Sequence, residues 1–206
     1  MSRKKTKKIV FVCTGNTCRS PMAEILLKSK LEQLGVKSVQ AYSAGVKAVV
    51  GDTINPLAKQ TLEENGLSAG EFSSTLLTDK ILTEAFALVC MTEKQRELLM
   101  DMRWNALRKK GEEEIENNVY SFSEITGYEV FDPFGKDIDC YHYVFGLLDA
   151  GMSALIEKFE LRKEVVAPAK KRGRPKKTEE AKTPTLTAPK KRGRPKKIQP
   201  KEGEKI

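Results

Sequence analysis

The sequence predicts an α/β fold, a three-layer sandwich in which helices flank a four-stranded parallel sheet, followed by a disordered C-terminal tail. Short apolar segments alternate with segments of helical periodicity, as in parallel sheets covered on both faces. The apolar segments are nearly continuous, which is typical of strands buried on both sides. Beyond about residue 163 large apolar residues almost vanish, so the chain there cannot bury enough surface to offset its ordering entropy.

Each strand is predicted from a short apolar run that ends in small or polar residues. The run IVFVC closes the first strand, Ala44-Gly45 ends the second, and AFALVCM is the third. The four predicted strands are 8–13, 39–43, 85–91 and 119–122.

The helices are predicted from apolar spacing of three and four residues and from capping residues. Ser20 reads as an N-cap before Pro21, and Asn55 precedes a second proline at a helix start. Thr92 and Asp139 are the predicted N-caps of two later helices. The predicted helices are 21–34, 56–65, 78–85, one that follows Thr92 and includes 95–102, and 139–161.

Charge divides the chain into a near-neutral body and a basic tail. Of its 206 residues, 37 are basic and 28 acidic, yet residues 166–206 alone hold 15 basic and 4 acidic side chains. The tail therefore carries a net charge of +11 and the remainder −2, which predicts a separate acidic partner for the tail. We divide the chain into a basic N-terminal extension (1–7), a folded domain (8–162) and the disordered basic tail (163–206).

The cellular compartment is predicted from features that the sequence does not contain. There is no apolar run of about 18 residues, so no membrane span or membrane partner is expected. The basic N-terminus is not followed by a signal-peptide pattern. Four scattered cysteines do not resemble a disulfide framework and fit a reducing, cytoplasmic environment.

The loop VCTGNTCRS, which joins the first strand to the first helix, has the pattern of an oxyanion site. Amides that turn from a strand into a helix N-terminus bind anions, and Gly15 and Asn16 tolerate the positive φ of a tight loop. Arg19 can grip two phosphoryl oxygens with its planar guanidinium. The loop lacks the Gly-Lys-Ser/Thr ending of a nucleotide-binding loop.

A cysteine at the base of such a loop is a candidate nucleophile. The positive field of amides and arginine favours the Cys13 thiolate. Ser20 is placed to offer its hydroxyl to the sulfur. The pattern of a cysteine, five residues, an arginine and a serine therefore indicates a phosphatase.

These residues resemble the active-site loop of the low-molecular-weight protein tyrosine phosphatase family, and especially its bacterial protein-arginine phosphatase branch. A distant Asp132-Pro133-Phe134-Gly135 matches the family's Asp-Pro loop, Ser43-Ala44-Gly45 also fits, and the likeness covers about residues 8–161. The resemblance implies that Cys13 attacks phosphorus, Arg19 stabilises the phosphoryl oxygens and Asp132 acts as general acid and then base. It implies no metal and no cofactor. The residues expected to bind phosphate or substrate are Thr14, Gly15, Asn16, Thr17, Cys18, Ser20 and Phe134.

Substrate choice is expected to depend on Thr17. Tyrosine-directed members usually carry an aliphatic residue there, whereas the arginine-directed branch carries Thr. Thr is smaller and polar, which suits a guanidinium better than a phenyl ring. Phe134 stands where tyrosine-directed relatives often have Tyr. We favour phospho-arginine over phospho-tyrosine as the substrate.

The remaining cysteines raise two alternatives. Arsenate reductases share the fold but need two further cysteines close together, and Glu97 stands seven residues after Cys90, so that activity is disfavoured. Cys90 and Cys140 are expected to be ordinary packing residues. For Cys18 two roles stay open, packing or a reversible disulfide with Cys13 of the kind known in relatives.

The tail repeats the octapeptide KKRGRPKK at 170–177 and 190–197. The Arg-Gly-Arg-Pro core resembles the AT-hook of high-mobility-group A proteins, which lies in the narrow minor groove of A·T-rich DNA. The resemblance implies DNA contacts by two sets of residues: Arg172, Gly173, Arg174 and Pro175, and Arg192, Gly193, Arg194 and Pro195. A solubilising tail is the simpler alternative.

The sequence therefore predicts a monomeric phosphatase that acts on phosphorylated proteins and is associated with DNA, or the nucleoid, through its tail. The competing hypothesis is a DNA-associated scaffold whose phosphatase domain has lost catalysis.

Overall fold

Four parallel strands form the central sheet of this computed structural model, which describes residues 6–112 and 116–162. The predicted four-stranded parallel sheet is confirmed, with strand order β2-β1-β3-β4. The predicted tail and both of its repeats lie outside the described residues, as does most of the N-terminal extension. The strands are β1 Lys7–Cys13, β2 Val39–Gly45, β3 Ala87–Cys90 and β4 Val119–Ser121.

Helices cover both faces of this sheet. They are α1 Arg19–Gln33, α2 Pro56–Glu64, α3 Asp79–Glu84, α4 Glu93–Lys109, α5 Phe122–Thr126 and α6 Ile138–Lys158. Helices α1, α2, α5 and α6 pack together on one face, and α3 packs against α4 on the other. The helix–sheet–helix layering predicted from the sequence is therefore confirmed.

Strand β1 supplies both cores because its side chains alternate between the faces. Ile9, Phe11 and Cys13 belong to the core beneath α1 and α6. Val10 and Val12 belong to the core beneath α3 and α4. All five side chains are buried, as expected for a central parallel strand.

The start of α1 corrects the sequence prediction. The helix begins at Arg19 rather than Pro21, its N-cap is Cys18, and no side chain caps it. Ser20 lies inside the helix because its hydroxyl contacts the Cys13 sulfur instead of the helix backbone. A serine before a proline is a common cap pattern, but here a tertiary contact overrides it.

The start of α6 is a second correction. Asp137, not Asp139, is the N-cap, and its Oδ1 accepts a hydrogen bond from the backbone N–H of Cys140 at 3.1 Å. The Asp-Pro loop sets where the helix begins, which puts Asp139 in the first turn. There it is favourably placed near the positive end of the helix dipole.

Element boundaries also differ near β3 and β4. The third strand is shorter than predicted, and the predicted end of the fourth strand is instead the start of α5. Ser121 and Glu124 form a capping box there, and Phe122 is buried under α6. The sequence predicts strand through Phe122 because an apolar residue at this point is compatible with a strand and with a short buried helix.

Strand β2 pairs with one edge of β1, and β3 pairs with the other edge of β1, so the strand order changes direction at β1. A crevice forms at such a switch point, beyond the carboxyl ends of the strands. Within the two described ranges, no helix combines the length and the apolar character needed to cross a membrane.

Candidate active site

The loop after β1 folds around the sulfur of Cys13. The backbone N–H of Asn16 donates to Cys13 Sγ at 3.2 Å, and the Ser20 hydroxyl lies 3.0 Å from the same sulfur. Cys13 is 3% exposed, so these two groups contact it away from bulk water.

The buried side chain of Asn16 fixes the shape of this loop. Asn16 has a φ of 55°, its side chain is fully buried, and Nδ2 donates to Ser20 Oγ at 2.9 Å. Its Oδ1 accepts a hydrogen bond from the backbone N–H of Thr75 at 2.7 Å. Asn16 adopts the positive φ that its residue type tolerates, and Gly15 does not use this freedom.

Gly45 at the end of β2 allows the loop to lie against the sheet. A Cβ at Gly45 would come within 2.7 Å of the Thr14 carbonyl oxygen and 2.8 Å of the Asn16 nitrogen. The loop is also held by backbone hydrogen bonds from the residues after β2, including Val46 N to Cys13 O at 3.0 Å and Lys47 N to Thr14 O at 2.9 Å. A side chain larger than hydrogen at position 45 therefore cannot coexist with this loop.

Arg19 joins the loop to the Asp-Pro segment. Its Nη2 donates to Asp132 Oδ2 at 2.5 Å, and its Nη1 donates to the carbonyl oxygen of Val130 at 3.3 Å. Arg19 is 4% exposed, and its buried Nε has no hydrogen-bond partner among the described residues. A buried guanidinium with an unused donor has strong affinity for an oxyanion.

Asp132 remains half-exposed although it contacts a buried arginine. Its Oδ1 accepts a hydrogen bond from the backbone N–H of Phe134 at 3.2 Å, which fixes the carboxylate at the turn. The Phe134 side chain is largely exposed at the rim.

A cavity of about 220 Å³ opens between the loop and the Asp-Pro segment. Asn16 and Ser20 do not line it and instead support the loop and the sulfur from behind. The remaining predicted substrate and catalytic residues do line it: Cys13, Thr14, Gly15, Thr17, Cys18, Arg19, Asp132 and Phe134.

Cys18 is buried beside Tyr141 of α6. The two side chains are 3.4 Å apart from Sγ to the phenol oxygen, and Thr17 Oγ1 lies 3.7 Å from the same sulfur. Burial raises the pKa of the Cys18 thiol, and burial also raises the pKa of Tyr141. Cys18 is therefore held as a neutral thiol, unlike a nucleophile.

Two residues at this site were missed in the sequence. The contact of Tyr141 with Cys18 could not be predicted, because the sequence around a tyrosine in an amphipathic helix does not indicate its tertiary partner. Gln95 of α4 accepts from Met91 N at 3.0 Å and donates to Thr14 Oγ1 at 3.4 Å, so it braces the loop against the end of β3. Only the position of Gln95 after a strand end could have indicated it.

The other singled-out side chains lie elsewhere. Cys90 is buried in β3, and burial raises its pKa to about 12. Cys140 is partly exposed, and its hydrogen bond with Asp137 raises its pKa. His142 Nε2 lies 2.6 Å from Glu64 Oε2, and Trp104 is half-exposed on α4.

A buried cysteine and arginine in a strand–loop–helix turn, facing an Asp-Pro carboxylate, define the class of cysteine-dependent protein phosphatases. The family model described as low molecular weight phosphotyrosine protein phosphatase matches residues 8–167. The chain belongs to this family.

Characterised relatives include enzymes named for two substrates. The protein-arginine-phosphatase of Bacillus subtilis (strain 168) is 38% identical over 136 residues, which span 65% of this chain and 83% of the relative. The low molecular weight protein-tyrosine-phosphatase PtpB of Staphylococcus epidermidis (strain RP62A) is 30% identical over 140 residues, which span 67% of this chain and 88% of the relative.

A solved structure shares the fold. A cysteine-to-serine mutant of the YwlE arginine phosphatase, with a phosphorylated active-site serine, superposes with a TM-score of 0.65 at 31% identity. The match covers 74% of this chain and 95% of that one. In the tail, an AT-hook motif model matches residues 169–181 and 189–201, which contain the two octapeptides.

Proposed function

We propose that this phosphatase hydrolyses phospho-arginine in proteins through a phosphocysteine intermediate. The observation that carries the proposal is the lining of the 220 Å³ cavity, where the hydroxyl-bearing Thr17 stands beside Cys13, Arg19 and Asp132. The kinship with the Bacillus subtilis protein-arginine-phosphatase supports the same substrate.

In the first step the Cys13 thiolate attacks phosphorus and the P–N bond to the guanidinium breaks. Asp132 donates its proton to the departing nitrogen, so arginine leaves as its guanidinium cation. The buried Nε and Nη groups of Arg19 stabilise the equatorial phosphoryl oxygens, together with the loop amides. The Ser20 hydroxyl and the Asn16 amide stabilise the negative sulfur.

In the second step water attacks phosphorus and the S–P bond breaks. The Asp132 carboxylate takes the water proton and inorganic phosphate and the Cys13 thiolate are released. The phosphorylated serine in the active site of the YwlE mutant supports a covalent phosphoryl enzyme in this family.

Selection of arginine over tyrosine follows from the polarity of the cavity. A guanidinium needs acceptors around its N–H groups, and the Thr17 hydroxyl and the exposed Asp132 carboxylate supply them. Thr17 Oγ1 has only a long contact to Cys18 Sγ at 3.7 Å, so it is available to a substrate. An aliphatic side chain at this position would leave substrate N–H groups unpaired, which is costly in a desolvated site.

Phospho-tyrosine is the second candidate. Its support is the kinship with PtpB and the exposed Phe134 ring, which can stack on a phenyl group as well as on a guanidinium.

Turnover of matched peptides carrying phospho-arginine or phospho-tyrosine tests the proposal. The wild type should have the higher kcat/KM on phospho-arginine, and Thr17→Ile should move the preference toward phospho-tyrosine. Thr17→Ser, which keeps the hydroxyl, is the matched control and should keep the preference. A wild type that prefers phospho-tyrosine, or a Thr17→Ile variant with unchanged preference, contradicts the proposal.

The scaffold hypothesis is tested with a generic aryl phosphate. Turnover by the wild type that is lost in Cys13→Ser supports catalysis. Equal inactivity of both proteins would leave a non-catalytic DNA-associated scaffold.

We further propose that the tail binds A·T-rich DNA. Each octapeptide places Arg-Gly-Arg between lysines, so the two arginines suit the narrow minor groove and the lysines suit phosphates. Two copies 20 residues apart raise apparent affinity through effective concentration. The enzyme would then be concentrated on DNA.

A further inference from the structure

An exposed aromatic pair stands next to the Asp-Pro carboxylate. The rings of Phe131 and Tyr143 stack at a centroid distance of 5.6 Å and an interplanar angle of 28°. Phe131 is 40% exposed and Tyr143 is 61% exposed, so each ring contacts its partner and still presents surface to solvent. Phe131 directly precedes Asp132, whose side chain lines the cavity. The pair therefore lies next in sequence to a residue that lines the cavity, without lining the cavity itself.

Three exposed carboxylates lie in the same segment of the chain as this pair. Asp132, Asp137 and Asp139 are all exposed in the segment that joins the two aromatic residues. Asp139 lies one helical turn before Tyr143, so the two share a face of α6. Within the described residues, neither Asp137 nor Asp139 forms an ion pair.

Positive charge is sparse in the same segment. Lys136 is its one lysine, and it has no arginine. His142 faces Glu64 of α2, at 2.6 Å. The rim between residues 131 and 143 is thus acidic and aromatic, although the whole body outside the tail has a net charge of only −2.

An aromatic face flanked by carboxylates suits a cationic side chain. A guanidinium or ammonium group is attracted to a ring face and gains more when a carboxylate is close. Arginine fits better than lysine because its planar group stacks on a ring while its N–H groups reach an oxygen at the edge.

We infer that Phe131, Tyr143 and Asp139 form a subsite for a basic residue that flanks the phosphorylated residue of the substrate. The inference rests on the proposed phosphatase function and defines its substrate class as phospho-arginine within arginine- and lysine-rich segments. The KKRGRPKK octapeptide is a segment of this composition.

The test compares two phospho-arginine peptides on the full chain. One is KKRGRPKK phosphorylated at the arginine that corresponds to Arg174, and the other has its four lysines replaced by glutamine. At low salt the wild type should hydrolyse the basic peptide with about two- to fivefold higher kcat/KM. Added salt should reduce this ratio.

Variants then assign the effect to the subsite. Tyr143→Leu and Asp139→Asn should each bring the ratio toward one while kcat/KM on the neutral peptide stays unchanged. Trp104→Leu is the control, because Trp104 is a half-exposed aromatic residue on α4 away from the cavity lining. It should keep the wild-type ratio.

Equal turnover of both peptides by the wild type, or an unchanged ratio in both subsite variants, overturns the inference. If neither phospho-arginine peptide is hydrolysed, the same pair carrying phospho-tyrosine decides the matter. If the wild type prefers the basic phospho-tyrosine peptide and Tyr143→Leu removes this preference, the subsite is supported and the phospho-arginine proposal fails. Equal rates, or no turnover of any peptide, reject both.

Discussion

Arg19 Nη2 and Asp132 Oδ2 lie 2.5 Å apart although 113 residues separate them in sequence. The arginine is buried and the carboxylate is half-exposed, so the pair joins the floor of the cavity to its rim. In the proposed mechanism, a phosphoryl group that binds Arg19 would lie within reach of the Asp132 carboxylate, and this contact would couple binding to proton transfer.

Asp132→Asn should lower kcat on a phospho-peptide by about 10²–10⁴-fold, because it removes the proton donor and leaves the Arg19 contact possible. The loss should be much smaller with an aryl phosphate whose leaving group needs no proton. Steady-state kinetics on both substrates checks this. Asp137→Asn is the control, since Asn also caps a helix, and its kcat should match the wild type. Equal losses on both substrates would remove Asp132 from the role of general acid.

Gly45→Ala should impair both catalysis and folding. Its Cβ would meet loop backbone atoms at 2.7–2.9 Å, so the loop that holds Cys13 must shift. We expect a kcat loss of tenfold or more, since about 1 Å of misplacement costs about 10²-fold. Thermal unfolding should show a lower Tm as well.

Gly146→Ala is the matched control for this change. Gly146 is exposed in α6, and a Cβ there meets nothing within 4 Å. Alanine should stabilise the helix by about 0.5–1 kcal/mol and leave kcat unchanged. A Gly45→Ala protein with wild-type kcat would show that the loop does not need the close approach to β2.

Cys18 offers a test of the two roles left open for it. If Cys18 is a redox partner, mild peroxide should convert Cys13 to a sulfenic acid. The Cys18 thiol should then condense with this sulfenic acid, which forms a disulfide and releases water. In Cys18→Ser the sulfenic acid has no thiol to condense with, so further peroxide should oxidise it to the sulfinic acid, which dithiothreitol does not reduce. Activity should therefore return with dithiothreitol in the wild type but not in Cys18→Ser. Activity assays with mass spectrometry of the disulfide check this.

Cys140→Ser is the control for the oxidation experiment, because Cys140 lies outside the cavity lining. It should recover activity as the wild type does. Burial raises the pKa of Cys18, so its thiol should react slowly with alkylating reagents at neutral pH. Full recovery in Cys18→Ser would leave packing against Tyr141 as its role.

Removal of the tail should separate DNA binding from catalysis. A chain that ends at Val165 should lose binding to A·T-rich duplexes and keep wild-type kcat on an aryl phosphate. In the full chain, lysine at all four positions Arg172, Arg174, Arg192 and Arg194 keeps the charge and should remove the A·T preference while non-specific, salt-sensitive binding persists. Fluorescence anisotropy with A·T- and G·C-rich duplexes measures both. An unchanged A·T preference in the lysine variant would contradict minor-groove recognition by these arginines.

Much of the fold could be predicted because the necessary signals are local. Apolar runs predicted β1 and β3, shorter segments with apolar residues predicted β2 and β4, and alternation with helices predicted a parallel sheet. Two helix starts were predicted wrongly, one because a contact within the folded loop replaced the cap and one because a neighbouring residue provides the cap. Ser20 contacts a sulfur instead of capping α1, and Asp137 takes the capping position that the sequence assigned to Asp139.

The sequence by itself determined the chemistry of the loop, since the spacing of Cys13, Arg19 and Ser20 in a strand–loop–helix segment is a local property of the chain. Only the tertiary structure decided which distant groups complete it. Asp132 reaches Arg19, Thr75 fixes Asn16, and Tyr141 covers Cys18, each across more than fifty residues. The physical reason is that sheet order and helix packing set these distances, and neither is encoded in the spacing of any single motif.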